Sequence, residues 1–146
     1  MRIERFRWWH IAEVLPIEAD LFGPERWSAA MFWNELAQRH HYLVSLDDDG
    51  TVAGYAGLAI VDRHESWVQN IAVRRDAQQH GIGRALLEAL LTKVAAERVD
   101  KTLLEVAVDN EPAQRLYATY DFEPVGLRRG YYQPSNTDAL VMVRSA

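Results

Sequence analysis

Three groups of residues have types and spacing suited to chemistry. In the run Leu103-Leu104-Glu105-Val106-Ala107-Val108 a single acid interrupts an otherwise apolar segment. Withdrawal from water disfavours the charged form of a carboxyl group, so burial in such a strand would raise the Glu105 pKa toward neutrality and make it a better proton acceptor near pH 7. A structural acid paired with an arginine is the plainer explanation of the same residue. Tyr117 follows on a stretch that also carries Leu116 and Tyr120. Its hydroxyl can give a proton to a departing group, although a tyrosine on an amphipathic helix is more often a core residue with its hydroxyl tipped outward. The third group is Gln78-Gln79-His80-Gly81-Ile82-Gly83-Arg84. Its glycines allow the backbone to approach a ligand, and the first amides of a helix starting there lack partners and carry partial positive charge. A pyrophosphate fits such a turn, with Arg84 beside it. The loop is not a P-loop, because Gly83 is followed by Arg84 and Ala85 instead of lysine and a hydroxyl residue, and Leu86 breaks the dinucleotide pattern. Taken alone, the glycines are equally explained by a turn before a core helix.

Other chemistries find no support. The chain has no cysteine, which removes disulfides, thiolate metal ligands and a cysteine nucleophile and suits a reducing, cytoplasmic setting. His40 and His41 are adjacent, and His10, His64 and His80 lie in unrelated segments, so no metal site is expected. No G-x-S-x-G elbow is present. A formal net charge of -5 argues against a broad basic surface for nucleic acid, and the tryptophans at 8, 9, 27, 33 and 67 read as core and not as a base-stacking platform. A cationic substrate suits this charge better. Met1 to His10 alternates Arg, Glu and aromatic residues, so neither a signal peptide nor a membrane span is expected.

These groups must be positioned by one domain covering residues 1–146. The pattern predicts a short strand over Ile3–Phe6 and amphipathic helices over His10–Leu21 and Ser28–Ala37, with Pro16 breaking the first. Strands over Tyr42–Leu46 and Val52–Val61 are joined by Asp47-Asp48-Asp49-Gly50, where Asp-Gly supplies the positive φ angles of a tight hairpin. Another strand covers Trp67–Val73. Leu86, Leu87, Leu90, Leu91 and Val94 recur at helical spacing after Gly83, in a helix running to about Arg98. The apolar run Leu103–Val108 predicts a strand buried on both faces. Asn110 caps a helix with Glu111 and Pro112 in its first turn, and Phe122–Leu127 and Ala139–Val143 complete the strands.

In this context the loop gains meaning. Asn70-Ile71-Ala72-Val73 followed by Gln78-x-x-Gly81-x-Gly83-Arg84-Ala85-Leu86-Leu87 resembles the acetyl-CoA signature of the GNAT acetyltransferases. Leu104-Glu105-Val106, Asn110 and Leu116-Tyr117 match the spacing of its RimI-like branch, whose members acetylate the N-terminal alanine of a small-subunit ribosomal protein. Trp27-Ser28 and Arg128-Arg129-Gly130-Tyr131-Tyr132 also look RimI-like, whereas Glu111 and Pro112 stand where small residues are frequent. The resemblance implies an α/β fold with a mixed, mostly antiparallel, splayed sheet flanked by helices. It implies that Ile71, Ala72 and Val73 pair with pantetheine, that Gln78, Gln79, His80, Gly81, Ile82, Gly83 and Arg84 hold the diphosphate, and that Asn110 contacts the pantetheine region. Glu105 becomes the general base and Tyr117 the general acid. The Val73 amide, at a distorted strand end, becomes a donor to the developing oxyanion. The implied acceptor is a protein or peptide N-terminus, held between the segment near Trp27 and the loop Arg129–Asp138. Lysine side chains or small amines remain open as acceptors, and a non-catalytic acyl-CoA sensor is the alternative outside enzymology.

Overall fold

The computed structural model describes all 146 residues. Its centre is a seven-stranded sheet in the order β1-β2-β3-β4-β5-β7-β6. The strands are β1 (Arg2–Arg5), β2 (His41–Leu46), β3 (Val52–Ile60), β4 (Glu65–Val73), β5 (Lys101–Ala107), β6 (Glu123–Tyr132) and β7 (Thr137–Ser145). Only β4 and β5 run parallel; every other pairing is antiparallel. Helices α1 (Ile11–Phe22) and α2 (Ala29–Ala37) cover one face, and α3 (Ile82–Ala96) covers the other. Helix α4 (Glu111–Ala118) follows β5. No helix is long and apolar enough to cross a membrane.

Local chemistry sets the element ends. The Ser28 hydroxyl accepts from the Met31 amide at 3.3 Å to open α2, and the Asn110 side chain accepts from the Ala113 amide at 3.3 Å to open α4. In the β2–β3 turn only Gly50, at φ +85°, takes the left-handed conformation; Asp49 instead accepts from the Thr51 amide at 3.0 Å. Pro16 does not break α1, which continues through it to Phe22. The missing amide costs one helical bond. That loss is outweighed by a face that buries Ile11 and Val14 before the proline and Ile17 after it.

Two apolar layers sandwich the sheet. Leu86, Leu87, Leu90 and Val94 of α3 pack against Ala56, Leu58, Leu104 and Met142, while Val14, Ile17 and Phe32 pack against Tyr42, Val44 and Tyr55. Strand β3 lies between both layers, so Val52 through Ala59 is buried without alternation. Strand β5 differs from expectation. Thr102, Leu104 and Val106 are buried, but Leu103, Glu105 and Ala107 are only half-buried, because the layer beneath α1 and α2 takes no residue from β5.

The second layer depends on close contact at Gly57, where an added Cβ would lie 2.1 Å from Cζ of the buried Tyr42 ring. Gly57→Ala should therefore destabilise the protein by about 1–3 kcal/mol, the usual cost of overpacking, as read from the denaturant midpoint with an unchanged slope. A midpoint equal to that of the parent would show that the ring shifts freely.

Candidate active site

The parallel pairing of β4 and β5 extends only from Glu65–Lys101 to Val68–Leu104. Beyond it, β4 stays on β3 as far as Val73 and β5 stays on β7 as far as Ala107, so the two strands part. At the parting point β4 carries a bulge: Leu58 pairs with Val68 and Gly57 with Asn70, leaving Gln69 as the extra residue. The irregularity is thus at Gln69 and not at Val73, which pairs in register with Gly54. A one-residue bulge reverses the side-chain alternation. Val68 accordingly packs beneath α3, whereas Ala72 packs beneath α1.

A cleft of about 670 Å³ occupies the gap. Ile71 lines it from β4, Glu105 and Ala107 from β5, and Asn110 and Tyr117 from α4 and its cap. Glu105 points from the half-buried face of β5. Its Oε1 lies 3.5 Å from Nη1 of Arg128, and its Oε2 is enclosed with no hydrogen-bond partner. Arg128 in turn stands 5.6 Å from the Tyr131 ring centre and 6.0 Å from that of Trp67. Both descriptions of the acid hold together: it has an arginine partner and it faces the cleft. Burial, and next the adjoining Glu105 carboxylate, push the Tyr131 hydroxyl up to about 12.

Tyr117 is buried with its ring 5.9 Å from that of Phe122, and its hydroxyl makes no hydrogen bond within the protein. Burial pushes this hydroxyl up to about 12, so it stays protonated across any neutral or mildly alkaline pH. Asn110 keeps its capping bond while lining the cleft.

At the end of β4 the chain makes one 3-10 turn, Arg75–Ala77, and enters α3 through Gly81 at φ +80°. No side chain caps α3, and the amides of Gln79, His80 and Gly81 donate to no acceptor in the protein. An uncapped N-terminus with free amides is an anion site, and an acyl-CoA diphosphate fits it. The side chains here are largely committed. Gln78 donates to the Val73 carbonyl at 3.0 Å, His80 Nδ1 lies 3.2 Å from the Ala77 carbonyl oxygen, and Ile82 and Ala72 are buried in the two layers. Ile82 and Ala72 can meet a ligand only through their backbones, whereas Gln78 and His80 are exposed. Arg84 donates to the Tyr120 hydroxyl at 3.1 Å with its guanidinium 5.2 Å from the ring centre. No three His, Asp or Glu side chains converge on a metal position.

The far wall comes from Glu18, to which the sequence assigned no role, and from the two segments expected to flank an acceptor. Glu18 of α1 is 2% exposed; Oε1 accepts from the Tyr55 hydroxyl at 2.7 Å and Oε2 from the Trp27 amide at 2.8 Å. Burial raises its pKa against the lowering effect of those two bonds. Glu18 occupies the apolar phase of α1, and an acid on that phase was the available signal. Trp27, Tyr132 and Thr137 line the cleft, and Glu25 accepts from the Ser135 amide at 3.2 Å, so the two segments meet, although strands β6 and β7 reduce the expected loop to residues 133–136.

The comparisons with known proteins agree with this geometry. The model of the acetyltransferase (GNAT) family matches residues 5–122. The chain is 41% identical to the N-alpha-acetyltransferase RimI of Mycobacterium tuberculosis, over 89% of this chain and 83% of that protein. It is 34% identical to the ribosomal protein bS18-alanine N-acetyltransferase of Escherichia coli, over 80% and 78%. The crystal structure of the ribosomal-protein alanine N-acetyltransferase from Escherichia coli superposes with a TM-score of 0.90 at 29% identity, covering 99% of this chain and 92% of that one. With its splayed mixed sheet and open helix N-terminus, the chain belongs to the GNAT family of acetyltransferases.

Proposed function

We propose that this enzyme moves the acetyl group of acetyl-CoA to the α-amine of a protein N-terminus, with the N-terminal alanine of a small-subunit ribosomal protein as the first acceptor to try. The observation that carries this reading is the convergence of Glu105 and Tyr117 on one cleft at the point where β4 and β5 separate. The acceptor class follows the relatives' names.

An amine attacks a thioester only when neutral. Glu105 accepts the proton of the incoming ammonium, directly or through water. The amides of Gln78 to Arg84 hold the diphosphate, and the open edge of β4 at Ile71, Ala72 and Val73 pairs with pantetheine, with Asn110 opposite. The register leaves Gln69 of β4 without a partner on β3, and its amide is the donor assigned to the developing negative charge. Tyr117, kept protonated by burial, gives its proton to the departing thiolate. Transfer is direct from thioester to amine in a ternary complex, and with no cysteine in the chain no thiol acyl-enzyme forms.

The test is acetylation of a peptide copying that ribosomal N-terminus, with its α-amine free or blocked and a lysine included, read by mass spectrometry. Transfer to the free α-amine alone supports the reading; transfer to lysine or to neither peptide overturns it. Glu105→Gln should lower kcat by about 10²- to 10⁴-fold while leaving the KM for acetyl-CoA near the parent value. Full activity at every pH would remove Glu105 as base.

Tyr117 also predicts a stability profile. Its folded-state pKa of about 12 stands above the ordinary tyrosine value of about 10. The neutral hydroxyl therefore contributes fully below about pH 10, and that contribution is lost as pH rises toward 12. Denaturation midpoints across this range should fall less steeply in Tyr117→Phe than in the parent; identical slopes would contradict a buried, neutral Tyr117.

A further inference from the structure

A second cavity, of about 550 Å³, opens away from the transfer cleft and shares no lining residue with it. It lies where the end of β1, the starts of β2 and the end of β3 meet the last turns of α3. Its lining includes Arg5, Arg39, His40, His41 and Lys93, with Ile60 as the apolar side chain open to it. The one carboxylate there, Glu97, is engaged by Lys93 at 3.2 Å. Arg5 and Arg39 take part in no salt bridge, side-chain hydrogen bond or ring contact. Lys93 and His40 each have a carboxylate partner, so the unneutralised cations at this cavity are the two exposed arginines.

Helix polarity explains part of the gathering. Arg39 and His40 follow the C-terminus of α2, where positive charge is favourable. Lys93 is likewise in the last turn of α3 and bonded to Glu97, but helix polarity does not explain Arg5, which comes from β1. The half-buried imidazole of His41 registers the convergence: its pKa is lowered by burial first and then by Lys93 and Arg5, against a smaller opposing pull from Glu97.

We propose that this cavity binds an organic phosphate. The two free guanidinium groups and Lys93 take the phosphate, and the partly exposed Ile60 and the half-buried His41 ring lie beside its carbon skeleton. Guanidinium forks match phosphate oxygens in pairs. The volume lies within the range of about 300–1,000 Å³ usual for small-molecule sites and exceeds the needs of a bare oxyanion. Unlike the α3 loop, the site is built from side chains, so it is separable by mutation.

The experiment is an NMR titration of the full-length protein, with the transfer cleft saturated by CoA, using adenosine monophosphate, inorganic phosphate and adenosine as probes. Adenosine monophosphate should shift the amides of Gln38 to Tyr42, Ile60 and Lys93 and leave Gln78 to Arg84 unmoved. It should bind more tightly than inorganic phosphate or adenosine. Arg5→Ser combined with Arg39→Ser should weaken binding by roughly tenfold or more. Acetyl transfer should be unchanged, because these residues are remote from the cleft. If the double variant folds poorly, Lys93→Gln alone should weaken binding in the same direction. Shifts confined to Gln78–Arg84, absence of shifts, adenosine or inorganic phosphate binding as well as the nucleotide, or parental affinity in the folded variants would each overturn the proposal. None of these outcomes depends on the identity of the acetyl acceptor.

Discussion

Everything functional in this protein depends on β4 and β5 ceasing to pair after Val68 and Leu104. A sheet interior normally consumes every backbone donor and acceptor, since an unpaired polar group away from water is costly. By parting, the two central strands expose one ladder edge each without creating an outer edge open to aggregation. The extra residue at Gln69 marks the separation. The same divergence gives the half-buried face of β5 an open side, which is why Glu105 can be both enclosed and addressable. Had β5 been buried on both faces, as its apolar run suggests, the carboxylate would have been sealed in the core.

The open turn proposed to hold the cofactor was largely legible because its determinants are local. A strand, a turn with Gly81 and Gly83 and a helix with Leu86, Leu87, Leu90, Leu91 and Val94 follow one another directly, so the open helix N-terminus could be read before any tertiary contact was known. The Asn110 cap is equally local. The hairpin at Asp47–Gly50 was legible for the same reason, although Gly50 alone adopts the positive φ.

The acceptor side was less legible because it is assembled across distant pairings. Arg128 approaches Glu105 because β7 stands between β5 and β6, with Ala107 and Arg128 both in register with Ala139. No periodicity along the chain reveals that register. Glu18 was hidden differently: its position reads as one apolar step of α1, and its purpose appears only when Tyr55 of β3 and the Trp27 amide converge on it. Pro16 shows the opposite error, a strong local rule overridden by burial on both sides of the residue.

Charge is distributed along the site as its two substrates require. The cleft lining contains Glu18, Glu25, Glu105 and Asp109 but no lysine or arginine. Beyond the end of β4, the α3 loop offers free amides and Arg84. On the proposed reading, an anionic cosubstrate and a cationic amine are drawn to opposite ends of one gap, and the backbone edge of β4 runs between them. The arrangement resolves a conflict inherent in the reaction, because the ammonium must enter as a cation and react as a neutral amine. Four carboxylates attract it, but only Glu105 combines an oxygen without a partner with a place on the parted strands. Glu18 has both oxygens committed to Tyr55 and Trp27 and therefore holds the wall in place, which leaves the proposed proton transfer to Glu105.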